Sequence, residues 1–565
     1  MESKYAEAKE MFMGAKFAFE KIGDQLGAAR CLQSLGNILP IESKYIEARA
    51  ILLEAKSTFE NIGNQVGAAQ CLQSLGDIWR VQGRYPEART MLLEAKSAFD
   101  KIGAQLDAAR CIQSLGEILW MENHYPEARA MILEAKSTFE NFGFQLGAAQ
   151  CLRSLGDILQ MQNKYIEARE VLLEAKSAFE IFGEQLGVGQ CLRSLGETWG
   201  MQNKYSEARV MLLEAKSAFE GIGDQLSAAG CMKSLGDILQ MQNRYPEARA
   251  ILLEAKSAME SFGDQFGAAW CLQSLGDLWW MENKYPEAKA LLVEAKSVFE
   301  NVGSQLGATE CLKSLGKILQ LENKYPAAAT MLMEAKSAFE NIGNQLGAAQ
   351  CLQCLGDIRC MQSRYPEARA MVLEAKSIFE IVGSQLGAAE CLRILGNILR
   401  MENHSEAKAT LLQAKFAFEN ISSQLGSAKC LQDLAGISYL EDRYPEARAL
   451  LLEAKSAFET IGDQLGAAQC LQSLGNISRK ENQYPQARTM LLEAKSIFQG
   501  IGNQLGNAQC LHHLGNILQA ECKHSEAKEM LLKAKLSFEH IGDQLGIAKC
   551  LQDLDRISLI DLNHF

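Results

Sequence analysis

Residues 285–324 read YPEAKALLVEAKSVFENVGSQLGATECLKSLGKILQLENK, and they decide the fold. Apolar residues fall at Ala288, Leu291, Leu292, Ala295, Val298, Phe299 and Val302. That three-four alternation gives a helix with one buried stripe. Gly303 stops it where a left-handed residue is tolerated, and Ser304 follows as N-cap of the next helix. The second helix runs through Leu306, Cys311, Leu312, Leu315 and Leu319. The stretch is therefore two helices and two short turns.

The same stretch recurs along the chain. Units begin near Tyr5, Tyr45, Tyr85, Tyr125, Tyr165, Tyr205, Tyr245, Tyr285, Tyr325, Tyr365, His404, Tyr444, Tyr484 and His524. About fourteen copies of a 40-residue unit occupy the 565 residues as a single array, 1–565. A period of this size signals a solenoid in which each unit buries its apolar faces against its neighbours. Eight of the nine prolines share one column, from Pro86 to Pro485, at the first turn of the tyrosine-led helix, where a missing N–H costs nothing. We call the tyrosine-led helix B and the cysteine-bearing helix A.

Fourteen of the seventeen cysteines mark the period, from Cys31 to Cys550, and read as small buried thiols rather than disulfide partners. Cys354, Cys360 and Cys522 stand outside that ladder. A net charge of −12 with interleaved signs disfavours a phosphate backbone or an anionic membrane as partner. No stretch of about eighteen apolar residues spans a membrane, and the N-terminus lacks the apolar core of a signal peptide, so a cytoplasmic location is expected.

In one copy Leu272, Leu275, Gly276, Trp279, Tyr285, Ala288, Leu292 and Ala295 follow the order L-x-x-L-G, then Y-x-x-A and a spaced alanine. This resembles the tetratricopeptide repeat, which implies an all-α, right-handed superhelical solenoid of helical hairpins. Leu272 stands where that family often has tryptophan, and the proline that usually ends its second helix is absent. The long unit, and tripeptides such as Leu35-Gly36-Asn37 and Leu514-Gly515-Asn516, are similar to the repeats of kinesin light chains and of the G-protein-signalling modulators named for Leu-Gly-Asn. The array also resembles repeat tails of fungal NTPase switch proteins. Gly276 and Ala288 are expected to let paired helices approach closely. At that glycine column the last unit has Asp555, as expected where no further helix packs, and the chain closes in ISLIDLNHF.

On a helical wheel Cys271, Leu272, Leu275, Leu278 and Trp279 share the core side, with Trp79 and Trp199 in the column of Trp279. Trp270, Gln273 and Asp277 take the other side, which the resemblance makes a concave groove. Trp280 lies at its flank, in one column with Trp120. Trp270 and Trp280 read either as docking residues or as rings folded against adjacent helices. Pairs at i,i+4 are expected in the groove at Arg153–Asp157, Arg193–Glu197 and Lys233–Asp237. These eleven residues, Trp120, Arg153, Asp157, Arg193, Glu197, Lys233, Asp237, Trp270, Gln273, Asp277 and Trp280, form the candidate site for a protein or peptide partner.

No nucleotide-binding or nucleophile motif appears in a strand-to-helix context, and the abundant carboxylates are periodic, as surface residues are. The cluster Cys510, His512, His513, Cys522 and His524 is expected to hold no metal, because Cys510 belongs to the buried ladder and His524 replaces a packing tyrosine. The expectation is a non-enzymatic scaffold without cofactor. The alternatives are the sensor tail of an NTPase switch protein, or an RNA-binding helical repeat, which the acidic balance opposes.

Overall fold

The computed structural model of the protein describes residues 2–563 apart from 43, 123, 283, 403 and 404. His404, His564 and Phe565, used in the sequence reading, thus lie outside the described residues. Among the described residues there are 28 α-helices and no strand, two helices to each period. Elements α14 (Gln265–Met281) and α15 (Tyr285–Val302) are typical of an A–B pair, followed by α16 (Gln305–Leu321). No helix is long and apolar enough to cross a membrane among the described residues.

The turns form as their residues dictate. Gly303 adopts φ 80°, and Ser304 accepts the Gly307 N–H at 3.3 Å. At the other turn an asparagine takes the left-handed conformation, as at Asn163, Asn203 and Asn243. The tyrosine two residues later donates its hydroxyl to that side chain at 2.7 Å in Tyr165–Asn163 and Tyr245–Asn243. This gives the tyrosine column its role: it pins the turn residue and buries its ring over the hairpin.

Within a hairpin the close approach sits at the glycine column. A methyl built on Gly276 would lie 2.8 Å from Leu292 Cγ and 3.4 Å from the Ala288 carbonyl oxygen. Leu292, Ala288 and Ala295 are completely buried there, as is Cys271. One copy carries Ala435 in that column, beside a cavity of about 170 Å³ lined also by Leu451, Tyr439 and Asn476. Asp555 in the last copy is exposed.

Trp79, Trp199 and Trp279 are corrected from core to half-buried. Each ring lies between two cations, Arg49 and Arg84 on Trp79 at 3.7 and 4.4 Å, and Arg249 and Lys284 on Trp279 at 4.2 Å each. Arg169 and Lys204 take Trp199 in the same way. The charged head stacks on the indole face while its alkyl stem covers apolar surface.

Consecutive A helices touch one another, as α12 (Gln225–Met241) touches α14 and α14 touches α16, whereas consecutive B helices make no comparable contact. The A helices therefore lie on the shorter, inner circumference of a curved array. Curvature goes further than neighbour packing alone. Gln82 donates to the Val302 carbonyl at 3.0 Å, and Asn243 donates to Asp463 at 2.9 Å, each across 220 residues. Successive superhelical turns thus meet after five and a half periods, by their loops and the adjoining helix ends. Among the described residues every substantial helix pairing is with the next or next-but-one helix.

Two outcomes are expected. Burial pushes the ladder thiols, such as Cys151 and Cys271, up to about 12, while Cys522 is exposed and Cys354 and Cys360 are half-buried. Maleimide labelling of the native chain at neutral pH should give one fast thiol, two slow ones and fourteen protected until unfolding. Gly276→Ala gains about 1 kcal/mol of helix propensity, but overpacking against Leu292 costs about 1–3 kcal/mol. The net effect expected is a lower urea midpoint.

Candidate partner-binding wall

The inner wall is built from the A-helix faces, and it brings together the three predicted charge pairs. Arg153 meets Asp157 at 3.0 Å, Lys233 meets Asp237 at 2.7 Å, and Arg193 meets Glu197 at 3.7 Å. A second layer of bonds runs between units. Ser114 donates to Asp77 at 2.9 Å, Ser154 to Glu117 at 3.1 Å, and Ser234 to Glu197 at 2.9 Å. Ser194 and Ser314 hold the same place beside Asp157 and Asp277 and draw those carboxyls down. Asp77, Glu117, Asp157, Glu197 and Asp277 thus each meet a serine one unit further along, a partner that sequence reasoning missed, while Asp237 is held by Lys233 alone. The recurring serine of LQSLG and LRSLG, one residue before the core leucine, is the signal that carries it.

The wall places these acids in a dense surround. Burial pushes the Asp77, Asp157 and Asp277 carboxyls up from the ordinary range, against the pull of their basic and hydroxyl neighbours. Departures in the serine column change the pattern. At Asp433 the acid itself moves, taking Arg393 at 2.8 Å and the Asn397 amide at 2.9 Å. At His513 the ring lies 3.3 Å from Asn476, and at Asp553 the partner is His512 at 2.9 Å. His512 and His513 of the candidate metal cluster are engaged in these contacts, while His524 makes neither, Cys510 is fully buried and Cys522 is exposed.

Asp357 is the exception. Its serine is replaced by buried Ile394, so it has no hydrogen-bond or ion-pair partner among the described residues. Burial raises its carboxyl to about 7; Glu390 adds to the rise, and Arg393 and Lys317 oppose it.

The tryptophans do not point freely into the groove. Trp270 packs edge-on against Phe299 at 5.0 Å and Phe266 at 6.1 Å between ring centroids. Trp280 donates its indole N–H to Asp277 at 3.1 Å and packs against buried Ala288 and Leu292. Trp120 packs in the same manner against a buried cluster that includes Tyr125 and Ile132. Gln273 is half-buried on the wall. Some buried polar atoms have no hydrogen bond among the described residues: Arg153 Nε, Arg193 Nε, and the side-chain oxygens of Asn397, Asn476 and Asn516.

A pH effect follows from Asp357. Its folded-state pKa lies above the ordinary value near 4, so the folded chain holds the proton more tightly than the unfolded chain. Its contribution is present below about pH 4 and is lost as pH rises to about 7. Asp357→Asn should raise the melting temperature at pH 8 more than at pH 5. Ile394→Ser, supplying the missing donor, should lower the Asp357 pKa in an NMR titration.

The tetratricopeptide repeat family model matches residues 228–301. A comparison with curated proteins found no match. Among solved structures, the chain is similar to aspartyl phosphate phosphatase F from Bacillus subtilis, at 13% identity over 63% of this chain and 94% of that one, with a TM-score of 0.41. A Rap protein complexed with competence and sporulation factor shares 15% identity over 59% and 98% of the two chains, with a TM-score of 0.38. BtubC from P. vanneervenii shares 16% identity over 39% and 92%, with a TM-score of 0.33. The two-helix period of the matched residues continues to either side of them through the described residues.

Proposed function

We propose that the protein is a non-enzymatic intracellular scaffold whose inner wall holds an extended segment of a partner protein. The observation that carries this reading is the set of buried polar atoms without a hydrogen bond on Arg153, Arg193, Asn397, Asn476 and Asn516, of which Arg193 Nε has only the long ion pair to Glu197. A buried polar group without a partner costs about 1–3 kcal/mol. A main chain laid along the wall relieves that cost, its N–H groups donating to the asparagine oxygens and its carbonyls accepting from the arginines. The pairs Arg153–Asp157, Arg193–Glu197 and Lys233–Asp237, with Gln273 and Asp277, supply mixed charge for partner side chains. Trp120, Trp270 and Trp280 act as packed shoulders of the wall rather than as free anchors.

The test uses the full chain to select from a displayed library of linear peptides. Selected peptides should bind Arg153→Ala/Arg193→Ala or Asn476→Ala/Asn516→Ala about 10- to 100-fold more weakly, as loss of one or two such bonds implies. Helix content by circular dichroism should stay unchanged. Peptides that bind both variants as tightly as the parent, or a library that yields none, would overturn the reading.

A further inference from the structure

A cleft of about 580 Å³ lies between two successive turns of the superhelix; none of the eleven candidate residues lines it, although Gln353 continues the column of Gln273. One side carries the last residues of three consecutive A helices: Met161 of α8 (Gln145–Met161), Met201 of α10 (Gln185–Met201) and Met241 of α12. The other side carries the second residues of three A helices one turn later: Leu346 of α18 (Gln345–Met361), Leu386 of α20 (Gln385–Met401) and Leu425 of α22 (Gln424–Leu440). These side chains are not spare core. Met201, Met241 and Leu386 are 44%, 51% and 42% exposed, so apolar surface faces apolar surface across the gap.

The gap is held by contacts at its two ends. On one side Gly383 lies against the Tyr125 ring; on the other Asn243 bonds Asp463, which itself caps α24 (Gln464–Lys480) by accepting the Gly466 N–H at 3.0 Å. Its shape is long and narrow. Three neighbouring helix ends on each side, at 8–10 Å spacing, give a slot about 16–20 Å long. Methionine walls adapt to a flexible chain rather than to a rigid ring, and the volume is that of an ordinary small-molecule site.

The polar groups on the cleft set the head group. Lys429 makes no ion pair among the described residues, and the acid beside it, Glu390, is already taken by Arg393 at 2.5 Å. The other polar groups of the lining, Asn163, Asn203 and Gln353 among them, are uncharged. One cation without an ion pair, on a slot walled by methionine and leucine, matches a single carboxylate. A polyanion would meet Glu390, and a neutral hydrocarbon would leave Lys429 unused.

We propose that this cleft binds a long-chain fatty acid, with its alkyl chain between the methionine and leucine walls and its carboxylate at Lys429. The experiment is calorimetric titration of the full chain with palmitate below its micelle concentration, with methyl palmitate as the uncharged probe. One saturable site is expected. Methyl palmitate on the parent chain, and palmitate on Lys429→Gln, should each bind at least tenfold more weakly. Met201→Glu and, from the opposite wall, Leu386→Glu should abolish binding with helix content unchanged, both side chains being exposed. Absence of saturable binding by the parent chain would overturn the proposal. So would palmitate binding that both glutamate variants retain, which would put the alkyl chain elsewhere.

Discussion

The structure depends on the close approach of the A and B helices at one column. Gly276 has no Cβ, so Leu292 and the Ala288 backbone can occupy the space a methyl would fill. The same geometry recurs at Gly76–Leu92, Gly156–Leu172 and Gly475–Leu491. Because every hairpin closes alike, every period adds a similar rotation, and similar rotations sum to a superhelix. The regular spacing between turns is its signature: Gln82 reaches Val302 and Asn243 reaches Asp463 over the same 220 residues. A hairpin of different crossing would break that register. Ala435 shows how a single methyl is absorbed, with a cavity opening beside it instead of a change of course.

Placing the A helices on the inner circumference has an electrostatic cost that the serine column offsets. Carboxylates drawn inward lose water, and a hydroxyl from the next unit replaces part of it. The column is therefore not decoration on a solvated face; at Ser114, Ser154, Ser194, Ser234 and Ser314 it couples one unit to the next through a polar bond as well as through the core. Where it departs from serine the neighbours shift with it. Asp433 gathers Arg393 and Asn397, and Asp553 gathers His512. Ile394 brings no such adjustment, which leaves Asp357 without a donor among the described residues and its carboxyl raised to about 7.

Local, periodic features were legible in the sequence. Gly303 and Ser304 end one helix and cap the next as their chemistry requires, the cysteine ladder is buried, and the three i,i+4 pairs form. The failures share one cause, which is contact across a unit boundary. A helical wheel gives the side from which Trp270 leaves its helix but not that its ring reaches Phe299 on the following B helix. It put Trp279 in the core, yet that ring surfaces between Arg249 and Lys284. Those offsets, thirty residues back and five forward, recur at Trp79 and Trp199, so a search for aligned cations would have found the sandwiches. The meeting of successive turns was beyond reach, because pitch accumulates from small rotations that no residue pattern specifies.

Two kinds of surface result, and they differ in origin. The inner wall repeats with the sequence, so its chemistry varies only where a column departs from its usual residue, as at Asn397, Asn476 and Asn516. The cleft between turns belongs to no single unit; Met201 and Leu386 become neighbours only through the superhelical register. Sparse loop contacts hold that register, so the spacing of turns is the softest coordinate in the molecule. If a ligand wedged between turns and a segment laid along the inner wall both act on that spacing, each alters the affinity of the other by the same factor. The coupling needs no pathway of contacts through the core, because pitch and inner radius are two measures of one rotation per repeat.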